Sequence, residues 1–398
     1  MNSIYYIVGL TFLFTFFIIF SPDTCKLSNN LGLHQWFPLQ NDKRCDLFSG
    51  HWVPDLRGSQ YTNVSCKSIP DSKNCFKHGR NDTNFLNWRW KPDGCELPRF
   101  DPRIFFAVVR GKTMAFIGDS VARNHVESLL CLLSLEEIPL NTFRDADNRS
   151  LTWHFPNNNF TLMVLWTKFL VKAEERVVNG TNSGSFDLHV DKIERNWTSK
   201  LPEMDYAIIS GVHWLFRKNY LYENGNLIGC IYCNEPDTKS YNLEYGIERI
   251  TRLVLKYINN CKQCKSGLVT LLRTYSPAHF ENGSWNTGGN CNRTKPFREG
   301  EINLESSELK LRSIQAEELQ KARKVGKRGN YFEILDVTKA MLMRPDGHPD
   351  GYWGNKWMQG YNDCVHWCMP GPIDVWNDLL MALLKRFTDF SILKEINQ

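Results

Sequence analysis

The chain contains 398 residues, which is enough for one large α/β domain with a smaller appendage. Hydrophobic residues make up 42% and charged residues 23%, so a disordered or collagen-like chain is excluded. The net charge is only +5, and basic residues are interspersed with acidic ones, which disfavours a nucleic-acid-binding protein.

The first predicted element is an uncharged apolar segment at the N-terminus. Residues 2–22 carry no charge, and residues 4–20 are almost wholly apolar, a length at the lower edge for a membrane-spanning helix. The segment ends in Ile-Ile-Phe-Ser-Pro-Asp, whereas a signal-peptide cleavage site favours small residues. We therefore predict a signal anchor at residues 1–22. A cleaved signal peptide and a buried helix are the alternatives.

Cysteines and glycosylation sequons follow this segment and indicate an oxidising lumen. The chain has 13 cysteines, and all but Cys131 lie in polar, turn-rich sequence where disulfides are expected. Cys131 lies in an apolar run, which by itself predicts a buried free thiol. The candidate glycosylation sites are Asn63, Asn81, Asn148, Asn159, Asn179, Asn196, Asn282 and Asn292. With a retained anchor, everything after about residue 23 would lie in the lumen.

Three further segments complete the predicted organisation. Residues 23–44 are predicted to form a short stem. Residues 45–102 show little periodicity and many Cys, Trp, Gly, Pro and Asn residues, which predicts a small Cys-rich subdomain held by disulfides. Residues 103–398 are predicted to form the catalytic domain.

Apolar strands alternate with amphipathic helices in this domain. Strands are predicted at residues 112–117, 206–209, 267–272 and 331–337, and helices at 121–133, 241–259, 304–325 and 373–384. This alternation predicts a mainly parallel sheet covered by helices on both faces. Residues 153–171 instead alternate like exposed antiparallel strands.

The first strand runs into the motif Gly118-Asp119-Ser120, and a helix follows directly. Active sites of open α/β sheets form at the carboxyl ends of the strands. Gly118 permits a sharp turn, and Ser120 lies where free N–H groups of the helix favour a developing oxyanion. Ser120 is therefore the candidate nucleophile. The alternative is an ordinary helix N-cap, because Asp and Ser are favoured there.

A candidate base lies near the C-terminus, in the sequence Asp363-Cys-Val-His366-Trp-Cys368. Its three-residue spacing can place a carboxylate beside an imidazole in a tight turn. His366 could then accept the Ser120 proton while Asp363 fixes the imidazole tautomer. A surface hydrogen bond between the two side chains is the alternative.

Two Cys-x-x-Cys pairs have the spacing of zinc ligands, Cys230 with Cys233 and Cys261 with Cys264. In an oxidising lumen, disulfides among these four are the better interpretation, and we expect no metal site.

Several other residues are weaker candidates for substrate contacts. Arg123 and Asn124 follow the nucleophile and could reach the acyl oxygen or the sugar, although a solvated helix face explains them equally well. Five tryptophans could stack on sugar rings or simply pack in the core: Trp88, Trp90, Trp285, Trp353 and Trp367. We assign no role to His279, Asp346 or His348.

Together these motifs resemble the plant trichome birefringence-like proteins of the PC-esterase group. The resemblance covers most of the chain, including the Cys-rich segment and the blocks at residues 275–294, 335–338 and 344–349. It implies an SGNH/GDSL-hydrolase-like α/β fold and polysaccharide O-acetyltransferase activity. Residues 213–217 and 229–233 resemble the branch associated with xyloglucan and mannan acetylation, with xylan and pectin as further alternatives.

The resemblance also implies roles for individual residues. Ser120 would be the nucleophile, His366 the base and Asp363 its partner. Gly118, Asp119 and Gly211 join Arg123 and Asn124 as oxyanion or substrate candidates; the family block at Gly211 here contains an inserted Val212. The implied disulfides are Cys45–Cys95, Cys66–Cys131, Cys75–Cys368 and Cys291–Cys364. We adopt the Cys66–Cys131 pairing over a free Cys131 thiol.

The predicted reaction is a double displacement through an acetyl-serine. No bound cofactor is expected. An acetyl donor, acetyl-CoA or another carrier, would be a co-substrate, although no glycine-rich phosphate loop directly supports acetyl-CoA. The expected partners are a cell-wall polysaccharide and the donor or a membrane protein that supplies it. We expect a single-pass type II Golgi membrane protein with a lumenal catalytic domain. A secreted polysaccharide acetyl esterase and a non-catalytic polysaccharide-binding protein are the alternatives.

Overall fold

The structure is a computed structural model that describes residues 45–326, 329–354 and 360–396. The predicted anchor at residues 1–22 and the stem at residues 23–44 lie outside the described residues. Within the described ranges, no helix combines the length and apolarity needed to cross a membrane.

The described chain contains strands and helices in the alternation that the sequence predicts. The strands are β1 Gly50–Pro54, β2 Trp88–Pro92, β3 Thr113–Gly118, β4 Leu140–Arg144, β5 Leu151–Phe155, β6 Phe160–Trp166, β7 Val171–Val178, β8 Thr181–Ile193, β9 Tyr206–Ile209, β10 Asn219–Glu223, β11 Asn226–Ile231, β12 Ser240–Tyr241, β13 Val269–Arg273 and β14 Tyr331–Leu335. The helices are α1 Pro102–Val109, α2 Ser120–Leu133, α3 Arg195–Thr198, α4 Leu243–Asn259, α5 Ser307–Val325, α6 Thr338–Leu342 and α7 Val375–Ile396.

The central sheet has seven strands in the order β14-β13-β9-β3-β6-β5-β4. The pairings from β14 through β6 are parallel, whereas β6–β5 and β5–β4 are antiparallel. This confirms the predicted mainly parallel α/β architecture. The prediction of exposed strands at residues 153–171 is wrong in one respect: β5 and β6 are antiparallel to each other, but β6 also pairs with β3 and buries alternate residues.

Helices cover both faces of this sheet because each presents an apolar stripe to it. On one face, Ile247, Ile250 and Val254 of α4 pack in one buried cluster with Ile117 and Ile209 from the strands. On the other face, His125 of α2 lies between Phe116 of β3 and Trp376 of α7, with ring centroids 4.8 and 5.2 Å apart. Burying each such aliphatic side chain stabilises the fold by about 1.5–3 kcal/mol.

A second sheet of five strands, in the order β12-β11-β10-β8-β7, was not predicted. Its strands are paired both parallel and antiparallel and have register shifts. Several of its positions are exposed polar residues, as in β7 and the first half of β8. The hydrophobic pattern is therefore too weak to identify these strands.

The Cys-rich segment is joined to the rest of the chain by disulfides. Three expected pairs are present: Cys66–Cys131 and Cys75–Cys368, which make this connection, and Cys291–Cys364, which lies outside the Cys-rich segment. The prediction of a free thiol at Cys131, made from the apolar run around it, is therefore wrong. A buried position is equally suited to a disulfide. Cys45 and Cys95 are both disulfide-bonded, and their expected pairing stays a prediction.

Polar contacts also connect the Cys-rich segment to the C-terminal half. The indole Nε1 of Trp52 donates to the Ala340 carbonyl at 2.7 Å, and the Tyr61 hydroxyl donates to Asp374 at 2.7 Å. Asp374 is half-buried, and its partial removal from solvent raises its pKa to about 6 despite hydrogen bonds from Ser128 and Tyr61. The subdomain boundary near residue 102 stays a prediction.

The side chains of the candidate glycosylation sites are accessible. Asn63 is half-buried, and the other seven sequon asparagines are exposed. Glycosylation itself stays a prediction.

Candidate active site

The nucleophile candidate lies where β3 meets α2. Asp119 is the N-cap residue of α2, and its Oδ1 accepts a hydrogen bond from the Val121 N–H at 2.9 Å. Ser120 is the first residue of the helix, one position earlier than predicted. At this position its own N–H has no acceptor within the helix and can face a substrate oxygen.

Gly118 is required at the end of β3 because Ser210 of the neighbouring β9 segment approaches its backbone closely. A Cβ atom on residue 118 would lie 2.1 Å from the Ser210 carbonyl oxygen and 2.8 Å from its Oγ. The same approach brings the Ser210–Gly211 peptide to the strand end that carries Ser120, where the Ser210 N–H bonds to the Ile117 carbonyl at 2.9 Å.

We expect Gly118→Ala to lower the free energy of unfolding by roughly 1–3 kcal/mol, the usual cost of overpacking, and to displace Ser120. Chemical denaturation and the rate of Ser120 acylation would measure both effects. Gly300→Ala is the matched control, since no heavy atom lies within 4 Å of the Cβ added at that position. Gly180→Ala is unsuitable as a control, because Gly180 has a positive φ that disfavours alanine. Equal behaviour of the Gly118 and Gly300 variants would contradict the steric argument.

The candidate base lies on a loop that reaches Ser120 from the end of the chain. The Nε2 atom of His366 is 2.8 Å from Ser120 Oγ, and its Nδ1 atom is 2.8 Å from Asp363 Oδ2. An ionised Asp363 can only accept, so Nδ1 carries the hydrogen and Nε2 is left to accept the serine proton. The predicted Ser, His and Asp side chains therefore form one continuous hydrogen-bonded chain.

The Asp363 carboxylate is held in its ionised form. Burial would raise the pKa of Asp363, but the charge and hydrogen bonds of His366 outweigh burial and hold this pKa below its usual range. Its Oδ1 also accepts from the Val365 and His366 N–H groups at 3.1 and 3.0 Å. The carboxylate thus orients both the imidazole and the backbone that carries it.

The loop from residue 362 to 372, here called the catalytic loop, is braced on several sides. Cys364 and Cys368 are bonded to Cys291 and Cys75. Asp363 and Asp350 exchange two backbone hydrogen bonds of 2.9 Å. A base held by this many contacts stays close to its reactive position, which catalysis requires.

Asn124, a predicted substrate contact, directs its side chain at the backbone of the catalytic loop, and a contact with substrate stays a prediction. Its side chain is fully buried, and its Oδ1 accepts from the Trp367 N–H at 2.9 Å while Nδ2 donates to the Trp367 carbonyl at 3.4 Å. As a helical residue four positions after Ser120, it faces the core and holds the backbone next to His366.

Arg123 is also committed to protein partners. Its Nε lies 2.8 Å from Glu127 one turn along α2, and its Nη1 donates to the Asn148 carbonyl at 2.6 Å. The side chain remains partly exposed. A direct substrate contact from Arg123 stays a prediction.

Asp119, which borders the nucleophile, is bonded to protein partners, and its role as a substrate or oxyanion contact stays a prediction. It is fully buried and lies 3.3 Å from His213 Nδ1, while His213 Nε2 lies 2.9 Å from the Ser276 carbonyl. Burial would raise the pKa of Asp119, but His213, Arg273 and the Val121 N–H lower it to about 2. His213 is a site residue that the sequence analysis did not identify; the only signal was its place shortly after β9, which ends at Ile209.

Gly211 lies half-buried directly after Ser210, near the same strand end as Ser120. The inserted Val212 is buried, and a short turn of 3-10 helix begins at His213, which lets His213 fold back onto Asp119. The oxyanion role of Gly211 stays a prediction.

The five tryptophans separate by burial. Trp90 and Trp367 are buried, and Trp88 and Trp353 are half-buried, with the Trp353 indole donating to the Tyr361 carbonyl at 3.0 Å. Trp285 is 45% exposed. Trp285 is therefore the most exposed of these five.

The two Cys-x-x-Cys pairs are closed as disulfides. Cys230 is bonded to Cys233, and Cys261 to Cys264. Disulfide sulfurs are not thiolates, so the zinc interpretation of these pairs is not supported. The same holds for the close grouping of Cys291, Asp350 and Cys364, since both cysteines are in a disulfide.

Comparison with known protein families matches almost the whole described chain. Residues 97–383 match the PC-Esterase family, described as a "GDSL/SGNH-like Acyl-Esterase family found in Pmr5 and Cas1p". Residues 43–96 match the PMR5 N-terminal domain. The first match contains Ser120, Asp363 and His366, and the second contains the Cys-rich segment.

The chain is also similar to several curated plant proteins. It is 65% identical over 396 residues to "Xyloglucan O-acetyltransferase 3" of Populus trichocarpa, covering 98% of this chain and 100% of that one. It is 54% identical over 378 residues to "xyloglucan O-acetyltransferase 2" of Arabidopsis thaliana, covering 95% and 91%. It is 43% identical over 360 residues to "Protein trichome birefringence-like 19" of Arabidopsis thaliana, covering 89% and 84%.

Proposed function

The chain belongs to the GDSL/SGNH-like acyl-esterase family found in Pmr5 and Cas1p, and we propose that it is a polysaccharide O-acetyltransferase that acts through an acetyl-serine. The observation that carries this proposal is the unbroken hydrogen-bonded chain from Ser120 through His366 to Asp363. Such a chain activates a hydroxyl as a nucleophile toward an acyl carbon.

The reaction proceeds in two displacements. His366 Nε2 takes the Ser120 proton as Oγ attacks the acetyl carbonyl of the donor, and the resulting imidazolium returns the proton to the leaving donor group. The N–H of Ser120 and that of Gly211 are proposed to stabilise the oxyanion. A sugar hydroxyl then gives its proton to His366 and attacks the acetyl-serine, which releases the acetylated sugar and restores Ser120.

We propose xyloglucan as the acceptor. Two relatives named as xyloglucan O-acetyltransferases align over nearly the full length of the chain, at 65% and 54% identity. The acetyl donor is a co-substrate. Its identity, acetyl-CoA or another carrier, is left open, because no glycine-rich phosphate-binding loop was identified in the sequence. The proposed location is the Golgi membrane, with the N-terminal segment as a signal anchor and the catalytic domain in the lumen.

The direct test is mass spectrometry of the purified lumenal part after incubation with an acetyl donor. We expect an acetyl adduct on Ser120 that disappears when a xyloglucan oligosaccharide is added and reappears as mass on the sugar. Release of free acetate with no sugar product would instead identify an esterase. A protein that binds the sugar but forms no adduct would identify the non-catalytic alternative.

Trp285 is a candidate acceptor contact because it is exposed on a loop tied to the catalytic loop. The turn that carries it is fixed by hydrogen bonds between Ser284 and Thr287 and between Gly289 and Ser284. Asn362 of the catalytic loop donates to the Gly289 carbonyl at 3.0 Å. The Cys291–Cys364 disulfide joins the end of the segment that carries Trp285 to the residue after Asp363. An exposed indole on a turn that is linked to the catalytic loop can stack on a sugar ring.

We expect Trp285→Ala to raise the KM for a xyloglucan oligosaccharide roughly tenfold, with little change in kcat. A tenfold change corresponds to the loss of about 1.4 kcal/mol of stacking free energy. The acylation rate with the donor alone should not change. Phe143→Ala is the matched control, since Phe143 is similarly exposed but lies on the edge strand β4. An unchanged KM in the Trp285 variant would exclude this contact.

A further inference from the structure

Two histidines outside the Ser–His–Asp chain, the buried His348 and the half-buried His279, form a second hydrogen-bonded chain that ends at the catalytic base. His348 Nδ1 lies 2.6 Å from the His366 carbonyl oxygen, and His348 Nε2 lies 2.7 Å from His279 Nδ1. His279 Nε2 lies 3.0 Å from the carbonyl of Leu342, the last residue of α6. The chain therefore runs from the end of α6 to the backbone of His366.

We propose that His348 is a positioning residue that holds His366 in place through the carbonyl oxygen of His366, and that a proton shared with His279 controls this hold. The proposal rests on the proposed role of His366 as the base. It adds a contact to the backbone carbonyl of that base, whereas Asp363 holds the imidazole ring.

The number of hydrogens in the chain is set by its two ends. Both ends are backbone carbonyls, which can only accept, and a hydrogen must also lie between the two facing ring nitrogens at 2.7 Å. Three hydrogens are therefore needed, whereas two neutral imidazoles carry one N–H each. The neutral pair can make two of the three bonds, and one added proton completes the third.

In the neutral pair, two arrangements compete. In one, His348 donates to the His366 carbonyl and His279 donates to His348, which leaves the Leu342 carbonyl without its hydrogen. In the other, His279 donates to Leu342 and His348 donates to His279, which leaves the His366 carbonyl without its hydrogen. Only the singly protonated pair always holds the backbone of His366.

The surroundings decide how readily the proton is added. Burial lowers the pKa of His348 well below its usual value, and burial also lowers the pKa of His279. Carboxylates oppose this and favour the proton. The charged and titratable groups that face His279 are Glu281, Glu308 and Asp346, and those that face His348 are Asp363 and His366. Two arginines lie further out: Arg80 donates to the His348 carbonyl, and Arg344 pairs with Asp346.

His348 is otherwise fixed in place, so its ring can act as a support. Its ring stacks on Trp367 with centroids 4.0 Å apart, and its carbonyl accepts from Arg80 Nη1 at 2.9 Å. Trp367 in turn is held by Asn124 and by its own indole, which donates to Ser276 Oγ at 2.9 Å. A movement of His348 relative to His366 is therefore resisted from several directions.

The first test compares His348→Asn with His348→Leu in the full-length protein, with Ser120 acetylation by a small aryl acetate as the readout. The two side chains have nearly the same shape and both lose the stack on Trp367, but only the asparagine amide can donate from the position of Nδ1. We expect His348→Leu to lower the acylation kcat roughly 10- to 100-fold with an unchanged KM, and His348→Asn to recover most of that loss. Equal losses in both variants would overturn the positioning role.

The second test uses His279→Leu, whose side chain cannot hydrogen-bond and so leaves the His366 carbonyl as the remaining partner of His348 in this chain. In this variant the bond to the His366 carbonyl is expected at every pH. Because burial lowers the pKa of both rings, the pH range must extend well below the ordinary histidine pKa. The ratio of wild-type to variant kcat should fall by roughly twofold from pH 4.5 to pH 7.5, the value for two neutral arrangements of equal free energy. Taking the ratio removes every titration that the two proteins share. A ratio independent of pH would overturn the shared proton, and this holds even if both His348 variants fail to fold.

These outcomes are separate from those that test the proposed function. If wild-type protein forms no acetyl adduct on Ser120, the proposed function fails before any variant is compared. If the wild-type adduct forms, the variants test the His279–His348 chain alone.

Discussion

Ser120→Ala and His366→Ala are each expected to remove nearly all acetyl transfer, and the double variant should be little worse than either single one. The two side chains act as one unit, because the proton that leaves Ser120 Oγ must pass to His366 Nε2 at 2.8 Å. Removing either end of this bond removes the same step. The loss in kcat is expected to be on the order of 10⁶-fold, as in the serine protease for which such a unit has been dissected.

Asp363→Asn should be the mildest of the three changes and still severe. The amide keeps the shape of the carboxylate, but it can donate to Nδ1 and so favours the imidazole tautomer that cannot accept the Ser120 proton. In a chymotrypsin-type enzyme the corresponding change lowers kcat roughly 10⁴-fold, and we expect a loss of similar size. Transfer rates to a xyloglucan oligosaccharide and mass spectrometry of Ser120 would measure these losses.

Ser134→Ala is the matched control for the nucleophile, since Ser134 is the C-cap residue of the same helix, α2. It should leave transfer unchanged. Far-ultraviolet circular dichroism and thermal unfolding would establish that every variant is folded. Transfer at the wild-type rate by a folded Ser120→Ala protein would contradict the proposed mechanism as a whole.

The second large effect is expected from the disulfide between Cys75 and Cys368, whose partners are 293 residues apart in the sequence. In the chain-entropy description, closing so long a loop restricts the unfolded chain and stabilises the fold by roughly 5 kcal/mol. The bond also fixes the end of the catalytic loop, and Arg80 Nη1 contacts Cys368 Sγ at 3.3 Å. The double variant Cys75→Ala/Cys368→Ala should therefore lose both stability and activity.

The matched control is Cys261→Ala/Cys264→Ala, which opens a disulfide of sequence separation 3 outside the catalytic loop. The same description assigns that bond roughly 2 kcal/mol, and activity should be retained at temperatures where the protein is folded. Denaturant unfolding and transfer assays would compare the two variants. Equal losses in the two, or free Cys75 and Cys368 thiols in a peptide map of the native protein, would contradict the prediction.

Local chemistry made much of the catalytic domain predictable. Strand β9 and helices α2 and α4 were predicted within a few residues because apolar periodicity reports a face that must be buried. The pairing of Asp363 with His366 was predictable for a similar reason, since groups three residues apart in a tight turn meet whatever the rest of the chain does.

Other features depended on contacts between distant segments. Asn124 was predicted as a substrate contact because it lies one turn after Ser120, and the sequence did not show that Trp367, 243 residues away, bonds to both of its polar atoms. His213 could not be linked to Asp119 from the sequence, because the two lie 94 residues apart and meet only where neighbouring strands end. The second sheet was missed because exposed polar positions weaken its alternation.

By itself, the sequence determined which residues could do chemistry and where the elements that carry them begin: the turn at Gly118, the Asp–His spacing and the cysteines available for disulfides. Only the tertiary structure decided that Ser120 Oγ meets His366 Nε2 across 246 residues, and that His348 and His279 lie beneath the catalytic loop. The physical reason is range. Hydrogen bonds and packing act over a few ångströms, so a sequence pattern reports only partners that the local backbone already brings together, whereas distant partners meet only after the sheet has brought its strand ends to one edge.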